Sequence, residues 1–336
     1  MQTLIVTGGA GFIGSHFVRY MLQNYPAYSL VVLDALTYAG NKENLRDVWG
    51  DPRFSFVHGD ISDAGVVDEL AARADAIINF AAESHNDRAI LDPESAVRAN
   101  FHGVFVLLEA ARKHKHARFH QVSTDEVYGS TDGVFREGDA LEPNQPYSAA
   151  KAGGELMVRA YHKTFGLATT VTRGSNTFGP YHYPEKIIPL FITNLIDGLP
   201  VPVYGDGMQV RDWMWVGEHC RGIDIALHHG TPGEVYNVGG ENDRPNLEIV
   251  HLLLKLVGQD ESLIRHVQDR PGHDRRYSLD CAKMRGLGYA PSPERFEERL
   301  AETVAWYRNN EGWWRAIKER PAEYQSFMKQ WYAERQ

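Results

Sequence analysis

Tyr147 and Lys151 stand four residues apart in Tyr147-Ser148-Ala149-Ala150-Lys151, which on a helix puts a phenol and an ammonium on one face. A cation beside a phenol favours the phenolate and can draw its pKa from about 10 toward neutrality, giving a base for an alcohol proton. The same spacing also occurs in helices that do no chemistry, so the pair needs a second group to act with. Thr7-Gly8-Gly9-Ala10-Gly11-Phe12-Ile13-Gly14 supplies it, reading both as Gly9-x-Gly11-x-x-Gly14 and as Gly8-x-x-Gly11-x-x-Gly14. Glycines permit a sharp turn there and let backbone N–H groups approach a pyrophosphate at a helix N-terminus. Asp34 follows twenty residues after Gly14, where a carboxylate ending the second strand can accept from adenosine ribose hydroxyls; a plain turn residue is the alternative. Neither Ala35 nor Leu36 offers a cation to a 2′-phosphate, so NAD is expected over NADP. A hydride acceptor at one site and an alcohol base at the other make an alcohol-oxidising centre.

These residues need elements to hold them. Residues 4–7, 30–33, 54–58, 76–80 and 119–123 are nearly continuous in apolar side chains, as strands buried on both faces of a parallel sheet are. Stretches with helical spacing, such as 12–23 and 95–113, lie between them. The alternation predicts an α/β fold: a doubly wound parallel-sheet Rossmann domain over residues 1–174 that carries the catalytic residues. Past Gly174 the prolines 180, 184, 189, 200 and 202 break the alternation. A smaller mixed α/β substrate lobe is expected over 175–336, some of its segments returning to the first domain, with helices near 246–256 and 296–308. The site belongs between the two bodies. The aromatic tail from Glu311 carries no readable signal.

The glycine loop with Tyr-x-x-x-Lys resembles the extended short-chain dehydrogenase/reductases, and Ser123-Thr124-Asp125-Glu126-Val127-Tyr128-Gly129 is similar to the catalytic signature of their dTDP-glucose 4,6-dehydratase branch. Epimerases of this fold usually carry small or apolar residues after the Thr. Further stretches agree: Ala81-Ala82-Glu83-Ser84-His85, Gly179-Pro180-Tyr181, Pro184-Glu185-Lys186-Ile187-Ile188-Pro189-Leu190, Arg211-Asp212-Trp213, and Arg270-Pro271-Gly272-His273-Asp274-Arg275-Arg276-Tyr277. The resemblance implies an NAD-dependent lyase that oxidises a nucleotide hexose at carbon 4, eliminates water across carbons 5 and 6, and returns the hydride to carbon 6. It makes Tyr147 the base for the 4-hydroxyl, Lys151 its tuner and a ligand of the cofactor ribose, both touching the cofactor, and Thr124 a hydrogen-bond partner of the same oxygen. Elimination then needs an acid for the 6-hydroxyl and a base for the carbon-5 proton. Two adjacent carboxyls disfavour double ionisation and so separate into these roles, Asp125 the acid and Glu126 the base.

Around NAD the resemblance implicates Phe12, Ile13, Asp34, Ala35, Leu36, Thr37, Asp60, Ile61 and Phe80, Ala81, Ala82, Glu83, Ser84. On the sugar-nucleotide side it implicates Ser84, Thr124, Asn176, Lys186, Ile187, Pro202, Val203, Tyr204, Arg211, Asn246, Asp269, Arg270, Pro271, Gly272 and His273. The cations among these suit a diphosphate independently of any family. Three positions depart from the pattern: Ala99 and Thr177 at cofactor-lining positions, and Asn86 where an apolar residue is common. Helices at 95–113 and 147–165 carry long apolar faces, and the resemblance implies that they form a four-helix homodimer interface; burial within one subunit is the alternative. Another 4,6-dehydratase acting on UDP-glucose, a 4-epimerase or a decarboxylase on the same scaffold, and a non-catalytic NAD-binding regulator are the competing readings. A regulator predicts at least one decayed catalytic position, and none is found.

Composition narrows the setting. A net charge of −9 opposes nucleic-acid and anionic-membrane surfaces. Two cysteines, Cys220 and Cys281, make no disulfide framework. The first residues run straight into a strand pattern without a cationic leader, and no apolar stretch approaches the ~20 residues of a membrane span, so a cytoplasmic protein is expected. His114, His116 and His120 lie across a helix-to-strand transition that splits their directions, so no metal is expected; His228-His229 reads as a solvated helix end. Trp213 and Trp215 alternate as strand residues do, base stacking being the alternative.

Overall fold

The computed structural model describes residues 2–333, so the outermost residues of the two expected domains, 1 and 334–336, lie outside it. Strands β1 (Thr3–Thr7), β2 (Ser29–Asp34), β3 (Phe54–His58), β4 (Ala76–Asn79) and β5 (Arg118–Thr124) follow the predicted apolar runs, while β6 (Thr169–Gly174) was not among them. Further on come β7 (Asn176–Phe178), β8 (Val201–Tyr204), β9 (Val210–Trp215), β10 (Glu234–Val238), β11 (Asp243–Pro245) and β12 (Ile264–Val267). A seven-stranded sheet runs in the order β10-β6-β5-β4-β1-β2-β3, and every neighbouring pair is parallel. Helices cover both faces. Phe12–Asn24 and Val216–His229 pack on one side around Phe17, Met21 and Ile223, while Val104–Lys113 and Pro146–Phe165 pack on the other around Leu107, Phe119 and Val158. The strand order reverses between β1 and β4, which opens a crevice at the C-terminal ends of the strands.

The second body is built on β7, β8, β9, β11 and β12 with helices Ile187–Ile196, Asn246–Val257 and Phe296–Asn309, around Ile192, Leu253, Leu300 and Trp314. The expected boundary at 174 is only the first crossing. Val216–His229 and β10 return to the parallel sheet, and Met284 and Tyr289 pack against Tyr236 and Val238 of that same side. Apolar complementarity decides this: β10 supplies the edge partner that β6 would otherwise lack.

The helical stretch predicted at 95–113 is interrupted. Pro93–Val97 leads into a widened, π-helical turn over Arg98–Gly103 before Val104–Lys113 continues. His228 is not solvated: its ring faces Asp224 at 2.7 Å and stacks on Tyr25 at 4.7 Å. His114, His116 and His120 go to separate partners, namely Asp68, the Ala71 carbonyl, and Thr170 with Thr172. No helix among the described residues is long and apolar enough to cross a membrane.

Candidate active site

The glycine loop joins β1 to the helix Phe12–Asn24, whose N-cap is Gly11 with no capping side chain, leaving its first N–H groups open to an anion. Gly8 sits at φ +66°, and a Cβ on it would meet the Ala81 backbone nitrogen at 2.6 Å; one on Gly14 would meet the Gly8 carbonyl at 2.3 Å. No other residue type fits either place. The loop forms one end of a cavity of about 510 Å³. Gly8, Gly11, Phe12, Ile13, Gly14, Asp34, Ala35, Thr37, Asp60, Ile61, Phe80, Ala81, Ala82, Glu83, Ser84, Ala99 and Thr177 all line it, together with Thr124, Asp125, Glu126, Tyr147 and Lys151. A dinucleotide fits this donor set, with the open amides of the glycine loop and the Asp34 carboxylate beside them.

Leu36 is the exception among the expected cofactor residues, because it does not line the cavity. It adopts φ +51°, and its N–H donates to Asp34 Oδ1 at 2.8 Å. Asp34 Oδ2 accepts from Ala10 N–H at 2.9 Å. Asp34 thus lines the cavity and also ties the glycine loop to the end of β2. The widened turn at Arg98–Gly103 lets Asn100 donate to the Glu83 carbonyl at 2.9 Å and presents Ala99 to the cavity. Thr177 donates its hydroxyl toward the Ser175 carbonyl and meets His219 Nδ1 at 2.8 Å.

Tyr147 and Lys151 project from one face of Pro146–Phe165, and both are buried. Lys151 Nζ donates to the Val122 carbonyl at 2.7 Å, and burial lowers its ammonium to about 8. The expectation that Lys151 draws the Tyr147 phenol toward neutrality is not met by this arrangement. Burial pushes the phenol well up, and the Glu126 and Asp125 charges push the same way; the Thr124 hydrogen bond opposes them.

Thr124 ends β5, and Asp125–Tyr128 form a single 3₁₀ turn that Thr124 caps by accepting the Glu126 N–H at 3.3 Å. Asp125 is buried. Thr124 donates to its Oδ1 at 3.2 Å, while its Oδ2 has no partner. Burial first, then the charge of Glu126, raises the Asp125 carboxyl far above the usual carboxylate range. The unpartnered oxygen is the place where a proton on this carboxyl would sit. Glu126 lines both this cavity and a second one of about 140 Å³.

Asn176, Thr177 and Lys186 are common to both cavities. The second is further lined by Ile187, Pro202, Val203, Tyr204, Arg211, Asn246, Arg270 and His273. Arg211 is fixed by the Asp274 carbonyl at 2.9 Å and lies over the Tyr277 ring; Arg270 pairs with Asp87 at 3.2 Å. Asp269, Pro271 and Gly272 stay outside the cavity. Asp269 faces His273 Nδ1 at 2.6 Å and accepts from Gln209 at 2.9 Å, and the Gly272 carbonyl accepts from Gln145, so these residues brace the wall from behind. Trp213 is buried on β9 and also lines this cavity.

Several lining residues escaped the sequence reading. His182 stacks on Phe12 at 4.2 Å, and Tyr38 packs against the Arg88 guanidinium at 3.9 Å. Arg88 also pairs with Glu185 and lies over Phe327 at 4.1 Å. Phe327 belongs to the terminal helix Ser326–Ala333, where Trp331 donates to the Tyr204 hydroxyl at 2.6 Å and Tyr332 lines the second cavity. The tail therefore forms part of the wall, a role that no motif announces.

A family model described as GDP-mannose 4,6 dehydratase matches residues 5–303. A dTDP-glucose 4,6-dehydratase of Actinoplanes is 52% identical over 318 residues, covering 93% of this chain and 99% of its own. The crystal structure of a Streptomyces venezuelae dTDP-glucose 4,6-dehydratase with NAD bound superposes with a TM-score of 0.92 at 51% identity, over 95% of this chain and 100% of that one. A Bacillus cereus UDP-glucuronic acid 4-epimerase, also with NAD, reaches a TM-score of 0.87 at 27% identity, over 92% and 99%.

Proposed function

The chain belongs to the GDP-mannose 4,6 dehydratase family, and from that membership we propose that it converts dTDP-glucose to dTDP-4-dehydro-6-deoxyglucose and water with NAD held in the larger cavity. The observation that carries this reading is the buried Asp125, with one oxygen unpartnered, directly preceding a Glu126 that reaches both cavities. An epimerase has no use for that pair. When bound, NAD supplies the hydride acceptor for carbon 4 and afterwards the donor for carbon 6.

The chain's own groups do the rest. Tyr147 removes the 4-hydroxyl proton, with Thr124 bonded to the same oxygen. Asp125, kept neutral by burial, leaves Tyr147 one fewer opposing charge than two ionised carboxylates would, and it protonates the departing 6-hydroxyl. Glu126 takes the carbon-5 proton, which the 4-ketone has made acidic, exchanges it with solvent, and later delivers a proton back to carbon 5. Lys186, Arg211 and Arg270 lie where a diphosphate's charge compensates their burial.

The test is isotopic. Substrate deuterated at carbon 4 should give product with deuterium on carbon 6, while heavy water should label carbon 5. Deuterium still on carbon 4 would identify an epimerase instead. Parallel incubation with dTDP-glucose and UDP-glucose checks the base, since equal turnover of both refutes thymine selection; one methyl group is worth only ~1–3 kcal/mol.

A homodimer in the cytoplasm belongs to the same proposal. Val97, Phe101, Phe105 and Leu156 are 38–53% exposed, and Phe101 lies against Gly153 of the neighbouring helix. These side chains make one apolar face over two helices, which a second copy would cover. Both cysteines are buried and free, as a reducing compartment keeps them.

A further inference from the structure

The six-residue helix Asn86–Leu91 begins at the second cavity, with Asn86 in the wall. The Asn86 side-chain nitrogen donates to Glu126 Oε2 at 2.5 Å. Its amide oxygen is buried and has no partner. Turning the amide over would set that oxygen against the carboxylate, so the donor is bound to face Glu126. Asn86 is 6% exposed, and an orphaned buried oxygen is unfavourable for the fold. An apolar side chain of similar size would remove that disadvantage, so what asparagine brings to this position is the bond to Glu126.

The surroundings hold it still. Asp87 accepts from Tyr204 at 2.8 Å and from Arg270 at 3.2 Å, and His85 Nδ1 accepts the Asp87 N–H at 3.2 Å. The other groups whose charges reach Glu126 are Asp125, Lys186, Arg211 and Arg270, with the phenols of Tyr147 and Tyr277. They act on it as charges; Asn86 gives it a directed bond.

We propose that Asn86 is a positioning residue for the dehydration: its amide N–H fixes the Glu126 carboxylate in the orientation that removes the carbon-5 proton, at a loss to fold stability. The proposal rests on Glu126 being that base. Three quantities test it in Asn86→Val and Asn86→Asp: solvent deuterium entry at carbon 5, NADH formation in a single turnover, and melting temperature. Asn86→Val should slow carbon-5 labelling by up to about 100-fold, the loss that a ~1 Å misplacement brings. NADH formation should stay near the wild-type rate, and the melting temperature should hold or rise. Asn86→Asp keeps the shape but replaces the donor by a second acceptor, and should label more slowly still. In a Glu126→Gln background, Asn86→Val should add nothing. Wild-type labelling in Asn86→Val, with labelling abolished in Glu126→Gln, overturns the role of Asn86 alone. Wild-type labelling in Glu126→Gln overturns the base assignment beneath it. A melting temperature and both half-reactions that fall together in Asn86→Val make the residue mere packing and overturn the proposal.

Discussion

Asp125 and Glu126 are neighbours in the chain with opposite tasks, and burial divides them: one is enclosed under Thr124, the other reaches open space in both cavities. Asp125→Asn keeps the shape and removes the transferable proton. Oxidation at carbon 4 should continue while elimination slows by about 10²–10⁴-fold, the usual contribution of a general acid. Reduced cofactor should then accumulate at 340 nm in a single turnover; a flat trace would remove Asp125 from the acid role. Glu83 gives a residue-scale prediction of another kind. Burial lifts its carboxyl to about 7. A carboxyl raised in the folded state stabilises the fold fully below its unfolded value and loses that contribution as pH rises through about 7. Glu83→Gln cannot ionise, so its melting temperature relative to wild type should climb between pH 5 and pH 8. A constant difference would show that Glu83 is not protonated in the fold. The Tyr147/Lys151 pair, the glycines and Asp34 were legible in the sequence because their spacings agree with one another, each being ambiguous alone. The upward push on Tyr147 was not, since it depends on burial and on carboxylates from another element.

Helix Pro146–Phe165 holds the catalytic phenol by local rules that are easy to read: Pro146 in the first turn, Ser148 Oγ accepting the Gln145 N–H at 3.3 Å, and Gly166 closing the end at φ +70°. Its fixed position over the sheet has a different source. Glu155 accepts from Arg173 Nε of β6 at 3.0 and 3.1 Å, with both side chains about 5% exposed. Removing one partner strands a buried charge, so Glu155→Ala should lose about 3–5 kcal/mol of stability in urea unfolding. Loss under 1 kcal/mol would mean that the pair is solvated. The predicted strands match because apolar runs bounded by turn residues leave few alternatives. The widened turn at Arg98–Gly103 was not legible, because a single-turn π-bulge carries no compositional mark in the sequence. The helix Asn86–Leu91 was not legible either, being too short for periodicity to mark.

At the scale of the molecule, the exposed apolar face on residues 97–105 and Leu156 predicts the assembly. Phe101→Glu with Leu156→Glu puts charges into that face and should convert a dimer to a monomer in light scattering, with the far-ultraviolet circular dichroism unchanged. A wild-type monomer would refute the expectation. The change of rhythm past Gly174 was legible, as the shorter elements and separate sheets that follow it show. The tail was not, because its aromatic residues gain meaning only beside Tyr204 and Arg88, 127 residues away in one case.

The repeated crossings of the chain bear on recombination. The parallel sheet takes Val216–His229 and β10 from the middle of the sequence expected for the substrate lobe, and the lobe takes the strands on either side. A chimera cut once near residue 174 would carry off the seventh strand of its own sheet and expose β6 as a new edge. Grafting another hexose specificity onto this scaffold requires at least two replaced segments, one between β6 and β10 and one after β10. Inheritance of specificity in such a fold proceeds by replacement of side chains in the wall more readily than by exchange of whole bodies.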